Sequence, residues 1–125
     1  MTSAVLTSNS AEDILQIDTK EYWDHTVTPK DLKPGEIVFI TVNQNLRKIH
    51  NLARMAIVEC FEKIPVSEKW TSNQLGNNQS YTCRIKLKGI TTVSTDSVES
   101  LLKSVGKKQN TNGIMYLDLQ KRYSK

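Results

Sequence analysis

One run constrains this chain more than any other stretch: Glu36-Ile37-Val38-Phe39-Ile40-Thr41-Val42. It is nearly unbroken β-branched and aromatic sequence behind a Pro34-Gly35 turn. Such a run suits a strand covered on both faces, in the middle of a sheet. Asn43, Gln44 and Asn45 then interrupt it, and each can turn the chain or cap a helix. From Leu46 the apolar spacing changes from period 2 to period 3.6. Leu46, Ile49, Ala53, Ala56, Ile57, Cys60, Phe61 and Ile64 fall on one helical stripe. The spacing predicts a helix over Leu46–Ile64, lying flat on the sheet and ended by Pro65.

Around that unit the chain reads as follows. Residues 1–12 are small and polar without a period and are expected to be flexible, leaving 13–125 as a single compact domain. Ser10 is placed to cap a helix start, with Asp13 at the acid position of a capping box. Thr19 to Gly35 is a connector, pinned by Tyr22 and Trp23. After the main helix, Leu75-Gly76-Asn77-Asn78 is a turn signal behind Trp70, and Lys69 to Ser72 suits a short hairpin strand. From Ser80 the pattern alternates, with Tyr81, Cys83, Ile85 and Leu87 inward and Thr82, Arg84, Lys86 and Lys88 outward, until Gly89 ends the strand or admits a neighbouring backbone. Ser94 or Thr95 caps a second helix with the stripe Val98, Leu101, Leu102, Val105, and Gly106 terminates it. Ile114 to Leu119 is a last strand. The expected class is therefore α+β in two layers, ordered β-α-β-α-β, with one mixed sheet and both helices packed on one face.

A chain of 125 residues with 38% hydrophobic and 24% charged residues is long enough to bury a core without staples. No apolar run approaches the roughly 20 residues of a membrane span, and the start lacks the basic and apolar regions of a signal peptide. Cys60 and Cys83 both occupy apolar positions and read as free thiols of a reducing, intracellular compartment, nuclear if the source is eukaryotic; a disulfide is the alternative. His25 and His50 offer no zinc spacing, so no metal or cofactor is expected. Nothing resembles a phosphate-binding glycine loop, a dinucleotide fingerprint or a zinc-protease helix, and Asp24-His25 has no nucleophile nearby in sequence. The expectation is a protein that is not an enzyme.

The net charge of +4 is a mild basic excess. Its placement is more informative. Arg84, Lys86 and Lys88 form a row on one strand face, Arg47 and Lys48 stand on the first turn of the predicted main helix, and Lys107 and Lys108 sit in a polar loop before the last strand. Converging on one surface, these seven side chains would hold phosphates; dispersed, they are a solvated exterior. On the predicted main helix, the face opposite the apolar stripe carries Arg54 with Met55 and Val58, an apolar pair on a wet face that suits a protein partner.

The order strand, helix, strand, helix, strand resembles the Alba-type domain of archaeal chromatin proteins and of paired protein subunits of RNase P and RNase MRP. Ile37–Val42, Arg47-Lys48 and Leu46–Ile64 carry the first half of the likeness, and Ile85-Lys86-Leu87-Lys88-Gly89-Ile90-Thr91-Thr92-Val93-Ser94 the second, over residues 35 to 120. The resemblance implies nucleic-acid binding through dimers, with the basic turn and sheet-side loops facing the phosphates. The family's Lys-Lys-Pro turn is absent, and its long basic hairpin is missing or reduced to Gly106–Gly113 and one strand. The expected function is a non-catalytic DNA- or RNA-binding subunit of a dimer or larger complex. The rival expectation is a protein-only scaffold that stabilises a larger, nucleic-acid-processing enzyme.

Overall fold

The computed structural model describes residues 2–8, 11–25, 31–43, 46, 51–63, 83–104, 106 and 113–118. Six strands and two helices follow in the order β1 (Thr2–Ser8), α1 (Ala11–Lys20), β2 (Tyr22–His25), β3 (Ile37–Val42), β4 (Ala53–Lys63), β5 (Cys83–Val93), α2 (Thr95–Ser104) and β6 (Gly113–Asp118). The strands form one mixed sheet, ordered β2-β5-β4-β3-β1-β6. β3, β4 and β5 make an antiparallel meander, whereas β1 lies parallel to β3. A parallel pair needs a crossover connection, and the segment containing α1 and β2 supplies it.

The run Ile37–Val42 is the interior strand β3, between β1 and β4, and is buried along most of its length. Asn43 turns the chain after it, accepting a hydrogen bond from the Leu46 amide on its side-chain oxygen at 3.0 Å. The second helix forms over Thr95–Ser104 with Val98 and Leu102 buried, and β6 takes the place of the expected last strand. Ser94 caps α2: its hydroxyl accepts from the Ser97 amide at 3.0 Å. Asn51, two residues before β4, adds a second cap, accepting from the Thr95 amide at 2.7 Å and the Thr95 hydroxyl at 2.9 Å. Gly106 follows α2 with φ +72°, the left-handed conformation of a helix terminator.

The predicted main helix does not form. Ala53–Lys63 is an eleven-residue strand, and the order β-α-β-α-β gives way to the one above. The misleading stripe has a physical origin. Arg54, Ala56 and Val58 face one side of the sheet and Ala53, Met55 and Ile57 the other, and both sides are covered along most of this stretch. A doubly covered strand loses its period of 2. Beyond Val58 the register shifts: Val58 faces Leu87, yet Cys60 faces Lys86, so β4 holds one extra residue at Glu59. The bulge moves the inward phase to Phe61, and the combined pattern imitates a period of 3.6.

A second bulge lies in β5, where Met55 faces Thr91 but Ile57 faces Lys88. Gly89 therefore does not end the strand; with φ +61° it lets β5 continue to Val93. The two bulges bend β4 and β5 and raise their twist, and the sheet curls into a half-barrel.

The helices occupy opposite faces of this sheet, not one. Ala4 and Leu6 of β1 join Ile14 and Ile17 of α1 in the inner core with Trp23, Val38, Ile40, Val58, Ile85 and Leu87. Val5, between them, points the other way and packs with Ala53, Val98, Leu102 and the half-buried Phe39 under α2. Burial of Ile14 and Ile17 contributes about 1.5–3 kcal/mol each to holding α1 on the sheet. Residues 1–12, expected to be flexible, include β1, an interior strand whose short stretch Ala4-Val5-Leu6 is buried on both faces. The Ser10 cap, the 69–79 hairpin and Pro65 lie outside the described residues.

The bulge makes a direct prediction. A Cβ at Gly89 would meet only the Ile57 Cδ1 at 3.6 Å, an ordinary contact, so the cost of Gly89→Ala is the left-handed backbone alone. A urea titration should show a loss of about 1–2 kcal/mol with an unchanged slope. An equally stable variant would mean that β5 does not bulge at this position.

Candidate nucleic-acid interface

The candidate basic residues meet different fates. Arg84, Lys86 and Lys88 alternate on the outer face of β5, as their spacing predicts, while Cys83, Ile85 and Leu87 point into the core. β2 adds an edge strand beside them, pairing Tyr22 with Lys86 and Asp24 with Arg84. On the other flank, Cys60 faces Lys86, Glu62 faces Arg84 and Ile57 faces Lys88.

Arg84 is not available to a phosphate. Its Nε donates to the Asp24 Oδ1 at 2.9 Å and its Nη2 to the Oδ2 at 3.3 Å. The two side chains are only 7% and 0% exposed. The guanidinium carbon also lies 3.8 Å from the centroid of the Tyr22 ring, stacking on it. Lys86, by contrast, is half-buried and Lys88 exposed, and neither has an ion-pair partner among the described residues. The row of three cations thus reduces to two free lysines beside a braced tyrosine. Lys20, in the last turn of α1, approaches the same ring with its Nζ 6.0 Å from the centroid. Arg47, Lys48, Lys107 and Lys108 lie outside the described residues.

The expected partner surface dissolves with its helix. Val58 is fully buried in the inner core beside Leu87, and Arg54 is buried on the same side of the sheet. Met55 alone keeps some exposure, on the outer face between Phe39 and Thr91. Arg54 holds α1 in place through the Asp18 carboxylate. Its Nε donates to Oδ1 and its Nη2 to Oδ2, both at 2.9 Å, and its Nη1 donates to the Ala53 carbonyl at 2.9 Å. The hydrogen bonds from Arg54 hold the Asp18 carboxyl below its ordinary value of 3.8. Asp18 raises Arg54 in return.

Cys60 and Cys83 are free thiols, and their register places them on opposite faces of the sheet, Cys60 beside Lys86 and Cys83 in the inner core. Among the described residues no group of three or more His, Cys, Asp or Glu is placed to hold a metal, and no helix is long and apolar enough to cross a membrane. Sequence reasoning missed Asp18, Tyr22 and Asp24 as members of the charged clusters. The alternation Tyr22, Asp24 against Trp23, His25 was the available signal; the partner strand was not.

A mixed sheet curled into a half-barrel, with a helix on each face, defines a class of small α+β domain. Comparison with solved structures places the chain beside two of that shape. The ASCH protein of Zymomonas mobilis superposes with a TM-score of 0.57 at 12% identity, covering 97% of this chain and 92% of that one. A tyrosine-to-phenylalanine variant of the same protein superposes with a TM-score of 0.57 at 13% identity, covering 97% and 95%. At this identity the likeness concerns the fold. No family model matches the sequence, and no curated protein matches it. The resemblance to the Alba-type domain rested on a helix over Leu46–Ile64 and does not survive the strand found there.

Two expectations follow from the ion pairs. Asp24→Ala leaves the buried Arg84 guanidinium without a counter-charge and should destabilise the fold by roughly 3–5 kcal/mol in chemical denaturation. Asp18 is 44% exposed, so the loss in Asp18→Ala is smaller, about 1 kcal/mol after solvent screening. Because the folded-state carboxyl is depressed, that difference from wild type is fully present above pH 3.8 and vanishes as pH falls through the lower folded value. Denaturation midpoints measured from neutral to acid pH check both the size and the sign.

Proposed function

We propose that this chain is a small, non-catalytic nucleic-acid-binding domain that meets the polymer on the outer face of β5. The observation that carries the reading is the pair of lysines without ion-pair partners among the described residues, Lys86 and Lys88, on alternate positions beside the Tyr22 ring. Alternate strand residues are about 7 Å apart, a step that one nucleotide of an extended strand can span. α2 covers the other part of this face, over Val5, Phe39 and Ala53. The likeness in shape to the ASCH protein is consistent with a small binding module and assigns no residue.

The electrostatic footprint is small. Neutralising two phosphates gives a slope of about −1.4 for log K against log salt on a single strand, where all seven basic candidates acting together would give about −5. Fluorescence anisotropy with a labelled RNA oligonucleotide, measured across a salt series, should return the shallower slope. Lys86→Glu with Lys88→Glu should abolish the binding. A double variant that binds as wild type rules out this face.

A further inference from the structure

Resting on that reading, we infer that Ile37, Met55 and Ile57 form an apolar strip on which the bases of the bound strand lie, which makes the ligand single-stranded. The outer face of the meander sets these side chains next to one another. Ile37 faces Ile57 across β3 and β4, and Ile57 faces Lys88 across β4 and β5. Met55 follows one alternation along β4, between Phe39 and Thr91. All three are half-buried, so each keeps part of its surface in water. Neither the inner core nor the cluster under α2 takes them in, whereas Phe39 beside Met55 is packed with that cluster.

Charge complementarity selects the occupant of the strip. Lys88 is exposed directly across from Ile57, and Lys86 stands one alternation further along β5. Partly open apolar surface beside two ammonium groups matches a polymer that carries an apolar face and an anion on every repeat. A single strand does so, because each nucleotide offers a base face and a phosphate. A duplex stacks its bases on one another and presents mainly phosphates and sugars to a strand face. The half-buried Cys60, facing Lys86, prolongs the strip, and the exposed Glu62 beyond it sets a boundary by repelling phosphate. From Met55 to Cys60 the strip spans two alternations, about 14 Å, which is room for about two or three nucleotides.

The test measures fluorescence anisotropy with three probes: a single-stranded RNA of about ten nucleotides, the same backbone with abasic residues throughout, and the same sequence as a duplex. Wild type should bind the intact strand about tenfold tighter than either of the others. Met55→Thr with Ile57→Thr removes apolar surface while keeping residues that suit a strand. This double variant should lose about tenfold on the intact strand and nothing on the abasic one. Equal wild-type binding of intact and abasic strands overturns the inference without any variant. Unchanged affinity of the folded double variant for the intact strand overturns it as well. In either case the lysine face stands if Lys86→Glu with Lys88→Glu abolishes binding to the abasic strand. Absence of binding to all three probes overturns the nucleic-acid reading and this inference with it. Light scattering addresses a rival occupant: a concentration-dependent dimer that Met55→Thr with Ile57→Thr dissolves would give the strip to a second copy of the chain and overturn the base assignment.

Discussion

The backbone ladder between β4 and β5 runs the length of two eleven-residue strands, and the positions of all the other elements follow from it. β3 docks on one side of that pair and β2 on the other, and through β3 the ladder reaches β1 and β6. The two bulges within the ladder bend both strands, turning a flat sheet into a half-barrel. The inner core lies between the sheet and α1, and α2 packs on the outer surface. The same bulges set the orientation of the site. Were β4 to continue through Glu59 as a regular strand with no bulge, Cys60 and Glu62 would turn inward and Phe61 outward, and the outer face beside Lys86 would change its chemistry.

The charged residues divide by how far they are removed from water. Arg54 and Arg84 are both buried, and each is paired bidentately with an aspartate from a sequence-distant element. A buried guanidinium without a counter-charge is costly, so Arg84 depends strongly on the fully buried Asp24, while Arg54 depends less on the solvent-screened Asp18. The Arg54 pair ties α1 to the inner face of β4, and the Arg84 pair ties the short edge strand β2 to β5. Their positive charge is spent inside the fold. What remains outward on β5 is lysine, whose long stem and single hydrated ammonium suit a solvated strand face. Each of these arginines is cancelled by its own aspartate, so the formal charge of +4 is carried by the remaining residues.

Several elements were legible because their signal is local. The run Ile37–Val42 is apolar on both faces and became an interior strand. Ser94 and Gly106 bracket an i, i+3, i+4 stripe and became the ends of a helix. Cys83, Ile85 and Leu87 alternate with Arg84, Lys86 and Lys88 and took opposite sides of β5. Met55-Ala56-Ile57-Val58 was read in the wrong period because a strand covered on both faces and interrupted by a bulge has no alternation to show. Ala4-Val5-Leu6 was overlooked because three apolar residues are too few to declare a strand until β3 and β6 lie on either side of it.

The site divides along the same line. By itself the sequence determined which residues alternate, where the chain turns, and that lysine and arginine share a face of β5, since these depend on neighbours a few positions away. Only the tertiary structure decided that Asp24 would lie opposite Arg84, that Asp18 would reach Arg54, and that Tyr22 would stand beside Lys86. Those pairings join residues 36 to 64 positions apart through strand register and helix packing. Register is set by the sum of contacts along whole strands, and no single segment contains it.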